Sequence, residues 1–159
     1  AIVSQQVSVA AANAIWKRLV KANLNGPRKI MKASDNELRA VGMSRQKVRY
    51  ARALAEARIN FKSLRSLSTT DVVSRLTRVS GIGIWTAEIY TMFSLGRADV
   101  FAAGDLALQE SGRLLFGLNE RPTEKEIRQM AESWSPWRAV AARLLWAYYA
   151  HAKNREGVG

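Results

Sequence analysis

The sequence predicts an all-α protein, a compact bundle of about eight helices with short connections in a single domain spanning residues 1–159. Three observations support this fold class. Apolar residues recur at spacings of three and four along most of the chain, which is the pattern of half-buried helices. Serine or threonine stands before many of these segments, at the N-cap position. No stretch alternates apolar and polar residues as a half-buried strand would, so no sheet is predicted.

The first half of the chain contains three predicted helices. Ser8 caps the first helix, which ends before the turn Asn25-Gly26-Pro27. Ser34 and Glu37 form a capping box for a short second helix, and Ser44 begins a longer third one. The inner faces of the first and third helices are predicted at Ala12, Ile15, Trp16, Leu19 and Val20, and at Val48, Ala51, Leu54 and Ala55. A mostly solvated basic face, with remote phosphate contact as the alternative, is predicted at Arg45, Lys47, Arg49 and Arg52.

The second half contains four further helices before the last one. A Ser/Thr cluster over residues 66–70 caps the fourth, and the fifth runs from Ile84 to Leu95. The sixth follows Asp105 and ends near Phe116. Thr123 and Glu126 form a capping box for the seventh.

The last predicted helix begins at Ser135, with Pro136 at its first position, where proline is well tolerated. Its apolar stripe is predicted at Val140, Leu144, Leu145 and Tyr148. The polar tail over residues 153–159 is expected to fray. The chain opens on Ala1 rather than methionine, so we expect natural residues to precede it.

The charge balance is strongly basic, with 25 Lys and Arg against 13 Asp and Glu, a net charge of +12. These cations are spread through the predicted helices, which indicates a polyanionic partner. The chain has no cysteine, which excludes disulfides, thiolate metal sites and an iron–sulfur cluster, and one histidine cannot form a zinc site alone. No apolar run approaches the length of a membrane span, and no signal-peptide pattern is recognised, so no membrane partner is expected.

The stretch Arg78–Asp105 holds the candidate functional residues. It opens with the turn Gly81-Ile82-Gly83, whose glycines allow backbone turns closed to other residues and expose N–H groups. The helix beginning near Ile84 adds unpaired amides and a positive dipole end, which suit a phosphate oxygen. One helix later, Asp105 places a carboxylate at another helix start, where a plain N-cap role is the alternative to chemistry.

The sequence resembles the helix-hairpin-helix DNA glycosylases, and within them the alkylpurine (3-methyladenine) branch. The matching segments, in order, are Gln5-Gln6-Val7-Ser8, Gly81-Ile82-Gly83 followed by Trp85-Thr86-Ala87, Asp99-Val100-Phe101 leading to Asp105, and Trp134-Ser135-Pro136-Trp137-Arg138. The resemblance covers nearly the whole chain. It implies a cleft between two helical lobes and an enzyme that binds double-stranded DNA, flips out an alkylated base and hydrolyses its N-glycosidic bond in base excision repair.

The resemblance also assigns residues to the reaction. Asp105 matches the acid that stabilises an oxocarbenium-like sugar or orients the attacking water. Trp85 and Trp146 are expected to line the base pocket, because electron-rich rings attract cationic purines. Tyr90 is a further pocket candidate, with a core position as the alternative. The other three tryptophans are assigned to the core or to packing: Trp16, Trp134 and Trp137.

Further residues are expected to contact DNA. Gly81, Ile82 and Gly83 would grip a phosphate through their backbone, and Gln6 matches a residue that enters the gap left by the flipped nucleotide. Arg138 is expected either to tie the surroundings of Asp105 together or to meet a phosphate. The resemblance further implies that hairpin carbonyls hold a monovalent cation, Na⁺ or K⁺, with no other cofactor required; these carbonyls belong to Thr77, Val79 and Ile82.

Bifunctional relatives carry a nucleophilic lysine where this chain has Trp85, and no lysine lies between Lys62 and Lys125. We therefore expect a monofunctional enzyme without lyase activity. The alternative is a non-catalytic helix-hairpin-helix DNA-binding module, which would need neither Asp105 nor two pocket indoles. We expect a monomer, located with the DNA in a bacterial cytoplasm or a eukaryotic nucleus.

Overall fold

The computed structural model describes the backbone of residues 2–156, and the side chains of these residues except Val9 and 154–156. Within this range it contains nine α-helices, three short 3-10 helices and no strand, which confirms the predicted all-α fold class. None of the helices in this range is both long enough and apolar enough to span a lipid bilayer. The chain divides into two compact units, residues 1–83 and residues 84–159, called here the N-terminal and C-terminal units. The single domain stays a prediction.

The N-terminal unit contains five α-helices in chain order: α1 (Val9–Lys21), α2 (Pro27–Lys32), α3 (Asp35–Ala40), α4 (Arg45–Glu56) and α5 (Thr69–Thr77). Two 3-10 helices accompany them at Ile2–Ser4 and Ser63–Ser66. The hydroxyls of Ser8, Ser34, Ser44 and Ser68 accept hydrogen bonds from backbone N–H groups three residues on, as the capping prediction requires. Helix α2 was not predicted, because Asn25-Gly26-Pro27 was interpreted only as a turn, whereas Pro27 is also the first residue of α2.

The core of the N-terminal unit is built mainly from aliphatic side chains of α1, α3 and α4. Its buried members include Ile15, Leu19, Leu38, Met43 and Val48. The inner face predicted for α1 was too wide, since Trp16 is 50% exposed and Val20 is also exposed. The core packing assigned to Trp16 was therefore wrong.

Two of the four residues predicted to form a solvated basic face on α4 bind to the protein itself. Lys47 is only 7% exposed, and its ammonium donates to the Val3 carbonyl at 2.8 Å. Arg52 donates to the Ala33 carbonyl and to the Asp35 carboxylate, both at 2.7 Å. Buried cations need such partners because desolvation is costly. Arg45 and Arg49 are exposed, as predicted.

The C-terminal unit contains four α-helices: α6 (Ile84–Phe93), α7 (Leu106–Phe116), α8 (Glu124–Met130) and α9 (Arg138–Glu156), with a 3-10 helix at Ala131–Trp134. The capping box of Thr123 and Glu126 forms as predicted, and α7 ends at Gly117 with φ 63°. The last helix begins at Arg138 rather than at Ser135, and the 3-10 helix Ala131–Trp134 comes before it. The predicted fraying of the tail is not seen up to Glu156, and residues 157–159 lie outside the described residues.

The apolar stripe predicted on α9 was largely wrong. Val140, Leu144 and Tyr148 are exposed, and only Leu145 of the four is buried. Beside Leu145, the small residues Ala139 and Ala142 are the buried members of α9 in this core, and the Ser111 hydroxyl of α7 donates to the Leu145 carbonyl at 2.8 Å. The spacing of apolar residues selects large side chains as the inner face of a helix, whereas small side chains are buried where two helices pack closely. Trp137, predicted to pack in the core, is 61% exposed, while Trp134 packs against Phe101.

Candidate functional site

Asp105 is held at the start of α7 by the helix backbone. Its Oδ1 accepts hydrogen bonds from the N–H groups of Ala107 and Leu108, at 3.0 and 3.1 Å. These amides have no partner inside the helix, so the carboxylate satisfies them and faces the positive end of the helix dipole. The N-cap role considered for Asp105 is therefore real, and it leaves the carboxylate with further acceptor capacity.

Two indole groups also converge on this carboxylate. Trp85, from the first turn of α6, donates from Nε1 to Oδ2 of Asp105 at 3.1 Å. Trp146, from α9, donates from Nε1 to Oδ1 at 3.1 Å. Among the described hydrogen bonds, Oδ1 thus has three donors and Oδ2 has one. Since a carboxylate oxygen offers about two lone pairs, Oδ2 retains capacity for a further donor or for a developing positive charge.

The ring of Trp146 is itself supported on one side. Phe93 of α6 stacks against it with 5.8 Å between ring centroids and 28° between planes. The guanidinium of Arg143 lies 5.0 Å from the Phe93 centroid, a cation–π arrangement. Phe93 is 52% exposed. Sequence spacing gave no signal for this stack, because it joins residues of two helices far apart in the chain.

The structure places Arg138 on Asp99 rather than on Asp105. Its Nε donates to Asp99 Oδ1 at 2.5 Å and its Nη2 to Oδ2 at 2.8 Å, and the Ser135 hydroxyl donates to the same carboxylate at 3.0 Å. The hydrogen bond from Arg138 is the main reason why the pKa of Asp99 lies below its ordinary value. This pair fastens the loop that leads to Asp105 onto the start of α9, which carries Trp146.

The two-glycine turn in the N-terminal unit has its own support. Its backbone closes through bonds from Val79 N–H to the Leu76 carbonyl and from Ile82 N–H to the Val79 carbonyl, at 3.1 and 3.0 Å. Gly81 has φ 89°, and a Cβ there would lie 2.1 Å from Cγ of Tyr50. Glycine at position 81 is therefore required both by the backbone and by the ring beneath it.

The segment before α1 is tied to this turn by a residue that the sequence did not single out. Gln5 donates from Nε2 to the Gly81 carbonyl at 2.8 Å. Gln6, the predicted DNA contact, follows with φ 55° and an exposed side chain. Gln5, Tyr50 and Phe93 are thus the site residues that sequence reasoning missed. The base-pocket role of Tyr90, which is partly buried on α6, stays a prediction.

Comparison with known proteins identifies similar chains. A family model described as HhH-GPD superfamily base excision DNA repair protein matches residues 1–136. The chain is 36% identical over 155 residues to a Schizosaccharomyces pombe protein named DNA-3-methyladenine glycosylase 1, covering 92% of this chain and 68% of that protein.

Two solved structures are also similar. One is a Bacillus halodurans DNA-3-methyladenine glycosidase, with a TM-score of 0.80 and 37% identity over 93% of this chain and 71% of that one. The other is Mag1, a 3-methyladenine DNA glycosylase of Schizosaccharomyces pombe in complex with abasic DNA. It gives a TM-score of 0.82 and 34% identity over 91% of this chain and 75% of that one.

Proposed function

The chain belongs to the HhH-GPD superfamily of base excision DNA repair proteins, and from this premise we propose that it is a DNA glycosylase for alkylated purines of the 3-methyladenine type. Its substrate is double-stranded DNA from which the damaged base is flipped out. One observation carries the proposal, namely the carboxylate of Asp105 held by two helix amides and two indole N–H groups. A non-catalytic DNA-binding module has no use for this cluster.

The reaction breaks the bond between the sugar carbon C1′ and the purine nitrogen. An alkylated purine is cationic, so it departs with the bonding electron pair as a neutral base while positive charge develops on the sugar. Oδ2 of Asp105, which has a single described donor, is the oxygen that stabilises this charge or accepts a proton from the attacking water. Water supplies the hydroxyl of the resulting abasic sugar, and the strand stays intact.

The indoles have two functions in this proposal. Their N–H groups fix the orientation of the carboxylate, and their ring faces attract the cationic base. Phe93 stacks on one side of the Trp146 ring, and Arg143 lies over Phe93. The base would therefore stack on the aromatic surface that Phe93 leaves open.

The two-glycine turn supplies the DNA grip in this proposal. Its backbone, at Gly81, Ile82 and Gly83, would bind a phosphate without reading sequence. Gln6 would enter the gap that the flipped nucleotide leaves. The last-turn carbonyl of Thr77, with those of Val79 and Ile82, offers neutral oxygen ligands of the kind that a hard monovalent cation prefers, and such an ion would bridge the turn to a phosphate.

The proposal excludes strand cleavage through a Schiff base. Trp85 stands where bifunctional relatives carry the nucleophilic lysine, its indole donates to the Asp105 carboxylate, and an indole has no nucleophilic amine. Borohydride treatment of the wild-type protein on a lesion-containing duplex should trap no covalent adduct, and strands should break only after alkali. A trapped adduct would instead assign the enzyme a lyase step.

The decisive experiment measures release of free base from methylated duplex DNA by chromatography. Wild-type protein should release alkylated purines and leave undamaged DNA intact. Asp105→Asn should lower the single-turnover rate by about 10²–10³-fold. Asparagine is a good N-cap, so the fold and the affinity for DNA should be retained.

Asp99→Asn is the matched control, because it removes a negative charge six residues away that faces Arg138 rather than the indoles, while the asparagine oxygen can still accept from Arg138 and keep the loop fastened. It should keep the rate within about threefold of wild type. Equal loss of rate in the two variants, or a near-normal rate in Asp105→Asn, would remove Asp105 from the chemistry.

A further inference from the structure

Lys47 and Gln5 are, we propose, positioning residues that fix the backbone of Gln6 against the two-glycine turn, so that Gln6 is presented in advance to the gap left by a flipped nucleotide. This inference rests on the proposed function. It is carried by two hydrogen bonds that fasten the segment before α1 on either side of Ser4, and by the backbone conformation of Gln6 itself.

The first hydrogen bond comes from a buried cation. Lys47 belongs to the first turn of α4 and is 7% exposed, and its Nζ donates to the Val3 carbonyl at 2.8 Å. Removing an ammonium group from water is costly unless it is hydrogen-bonded, so this contact constrains both partners. Val3 lies in the 3-10 helix Ile2–Ser4, whose Ile2 is also buried, and the segment is therefore anchored by its backbone and by an apolar side chain.

The second hydrogen bond reaches the turn that is proposed to hold DNA. Gln5 donates from Nε2 to the Gly81 carbonyl at 2.8 Å, and Gly81 rests on the ring of Tyr50. This hydrogen bond fixes the position of Gln5 relative to the same backbone that would bind a phosphate. Any shift of the turn is transmitted to the residue that follows Gln5.

Gln6 occupies a conformation that non-glycine residues rarely adopt, with φ 55°. Such a conformation persists only where the surrounding structure determines it, and here the contacts of Val3 and Gln5 come immediately before it. The Gln6 side chain is exposed. A residue already held in its working conformation loses less freedom on binding, so flipping costs less.

The proposal separates Lys47 from the other cations of α4. Because its charge is buried on a carbonyl, Lys47 does not neutralise a DNA phosphate, whereas exposed Arg45 on the same helix turn is free of that constraint. Lys47→Met should therefore lower flipping and excision without changing the salt dependence of binding.

The test uses the full chain and a duplex carrying 2-aminopurine at a mismatch, whose fluorescence rises on flipping, together with single-turnover release of base from methylated DNA. The variants are Gln6→Ala, Gln5→Ala, Lys47→Met, and Lys47→Arg, which can still donate to the Val3 carbonyl. Gln5→Ala and Lys47→Met should each lower the flipping signal and the excision rate by about tenfold, the factor that corresponds to one charged or well-placed hydrogen bond. In Lys47→Met the affinity for undamaged DNA should stay within about twofold of wild type, and Lys47→Arg should recover most of the loss.

A double-mutant cycle distinguishes positioning from general destabilisation. If Gln5 and Lys47 act through Gln6, their substitutions should have no further effect once Gln6 is alanine. Effects that add fully in the Gln6→Ala background, or a Gln6→Ala protein with wild-type flipping, would overturn the inference. Wild-type protein that flips 2-aminopurine and releases no methylated base would instead contradict the proposed enzyme activity. The fluorescence measurements on the variants would then still test the inference.

Discussion

The two units of the chain differ sharply in charge and in aromatic content. Residues 1–83 contain 16 Lys and Arg against four Asp and Glu, whereas residues 84–159 contain nine of each. The whole net charge of +12 thus lies in the N-terminal unit. Aromatic residues show the opposite distribution, with three in residues 1–83 and ten in residues 84–159. In the proposed function, this difference assigns attraction to a polyanion to the N-terminal unit and recognition of a flat cationic base to the C-terminal unit.

The two units also differ in how far their basic side chains are paired with carboxylates. In the C-terminal unit, Arg113, Arg128 and Arg138 each meet a carboxylate, so their charge is compensated within the protein. In the N-terminal unit the acids are too few to do this. The N-terminal unit, which contains the two-glycine turn, therefore has a net positive charge, whereas the indole–carboxylate cluster lies in a unit whose charges balance.

The most severe test of this division is a substitution in the turn. Gly81→Val introduces a side chain where a Cβ would lie 2.1 Å from Tyr50, at φ 89°. We expect it to cost roughly 2–4 kcal/mol of folding stability, from overpacking and the left-handed backbone, and to weaken DNA binding at least about tenfold. Thermal denaturation and DNA titration measure the two effects. The identity of the released base should not change, because the indoles are in the other unit.

Gly83→Ala is the matched control for that substitution. No atom lies within 4 Å of a Cβ at Gly83, and its φ is not left-handed. Its stability should stay within about 0.5 kcal/mol of wild type. Equal losses in the two variants would mean that the support from Tyr50 is not what makes Gly81 necessary.

Substitution of the indoles tests the other side of the comparison. Trp85→Phe keeps an aromatic face and removes the donor to Oδ2, so we expect the single-turnover rate to fall about tenfold with little change in DNA affinity. Trp146→Phe should have a smaller effect, because Oδ1 keeps its two amide donors. Trp85→Ala should fall further, since the ring face is lost as well. A Trp85→Phe protein with a wild-type rate would show that the N–H group is not needed.

Sequence reasoning was most successful where the signal is local. The caps at Ser34, Ser44 and Thr123, and the stop at Gly117, each depend on a few neighbouring residues, and each is present as predicted. The acid Asp105 and its two indoles were selected through family resemblance, and the structure brings the three together.

The features that could not be predicted from the sequence depend on contacts between residues far apart in the chain. The Gln5 bond to Gly81 spans 76 positions and the Arg138 bond to Asp99 spans 39, and no periodicity encodes either one. The burial of Lys47 was hidden for the same reason, since its carbonyl partner is 44 positions away. The α9 face was assigned largely wrongly because, beside Leu145, the small residues Ala139 and Ala142 are buried there.

The salt dependence of binding tests where the useful charge lies. Affinity for duplex DNA should fall steeply between about 50 and 200 mM salt, with a slope of roughly 0.9 for each phosphate contact in a plot of log affinity against log salt. Arg78→Ala, an exposed residue beside the two-glycine turn, should reduce that slope by about one. Arg121→Ala, equally exposed in the C-terminal unit, should leave it unchanged. Equal changes in the two variants would contradict the assignment of DNA attraction to the N-terminal unit.

The smallest expected effect concerns two compensated carboxylates of the C-terminal unit, whose pKa values are shifted in opposite directions. The hydrogen bond from Arg138 lowers the pKa of Asp99, whereas burial raises the pKa of Glu88 despite its 2.6 Å bond from Arg128. Asp99 therefore stabilises the fold above its unfolded pKa of about 3.9, and this contribution is lost as pH falls through the lower folded value. Glu88 favours the fold below its unfolded pKa of about 4.3, and this contribution is lost as pH rises through the higher folded value.

Two uncharged variants distinguish the opposite pH-dependent contributions of Asp99 and Glu88 to stability, because glutamine and asparagine do not titrate. Asp99→Asn should lower the free energy of unfolding at pH 7, and its difference from wild type should shrink as pH falls below about 4. Glu88→Gln should be neutral or stabilising at pH 7, since Arg128 keeps a partner in Glu124 at 2.9 Å and a buried charge is removed. Urea unfolding at a series of pH values between about 3 and 7 measures both, across the range in which the two carboxylates titrate. The difference in unfolding free energy between variant and wild type should change with pH in opposite directions for the two variants. The same direction in both would contradict the conclusion that burial sets Glu88 apart from Asp99.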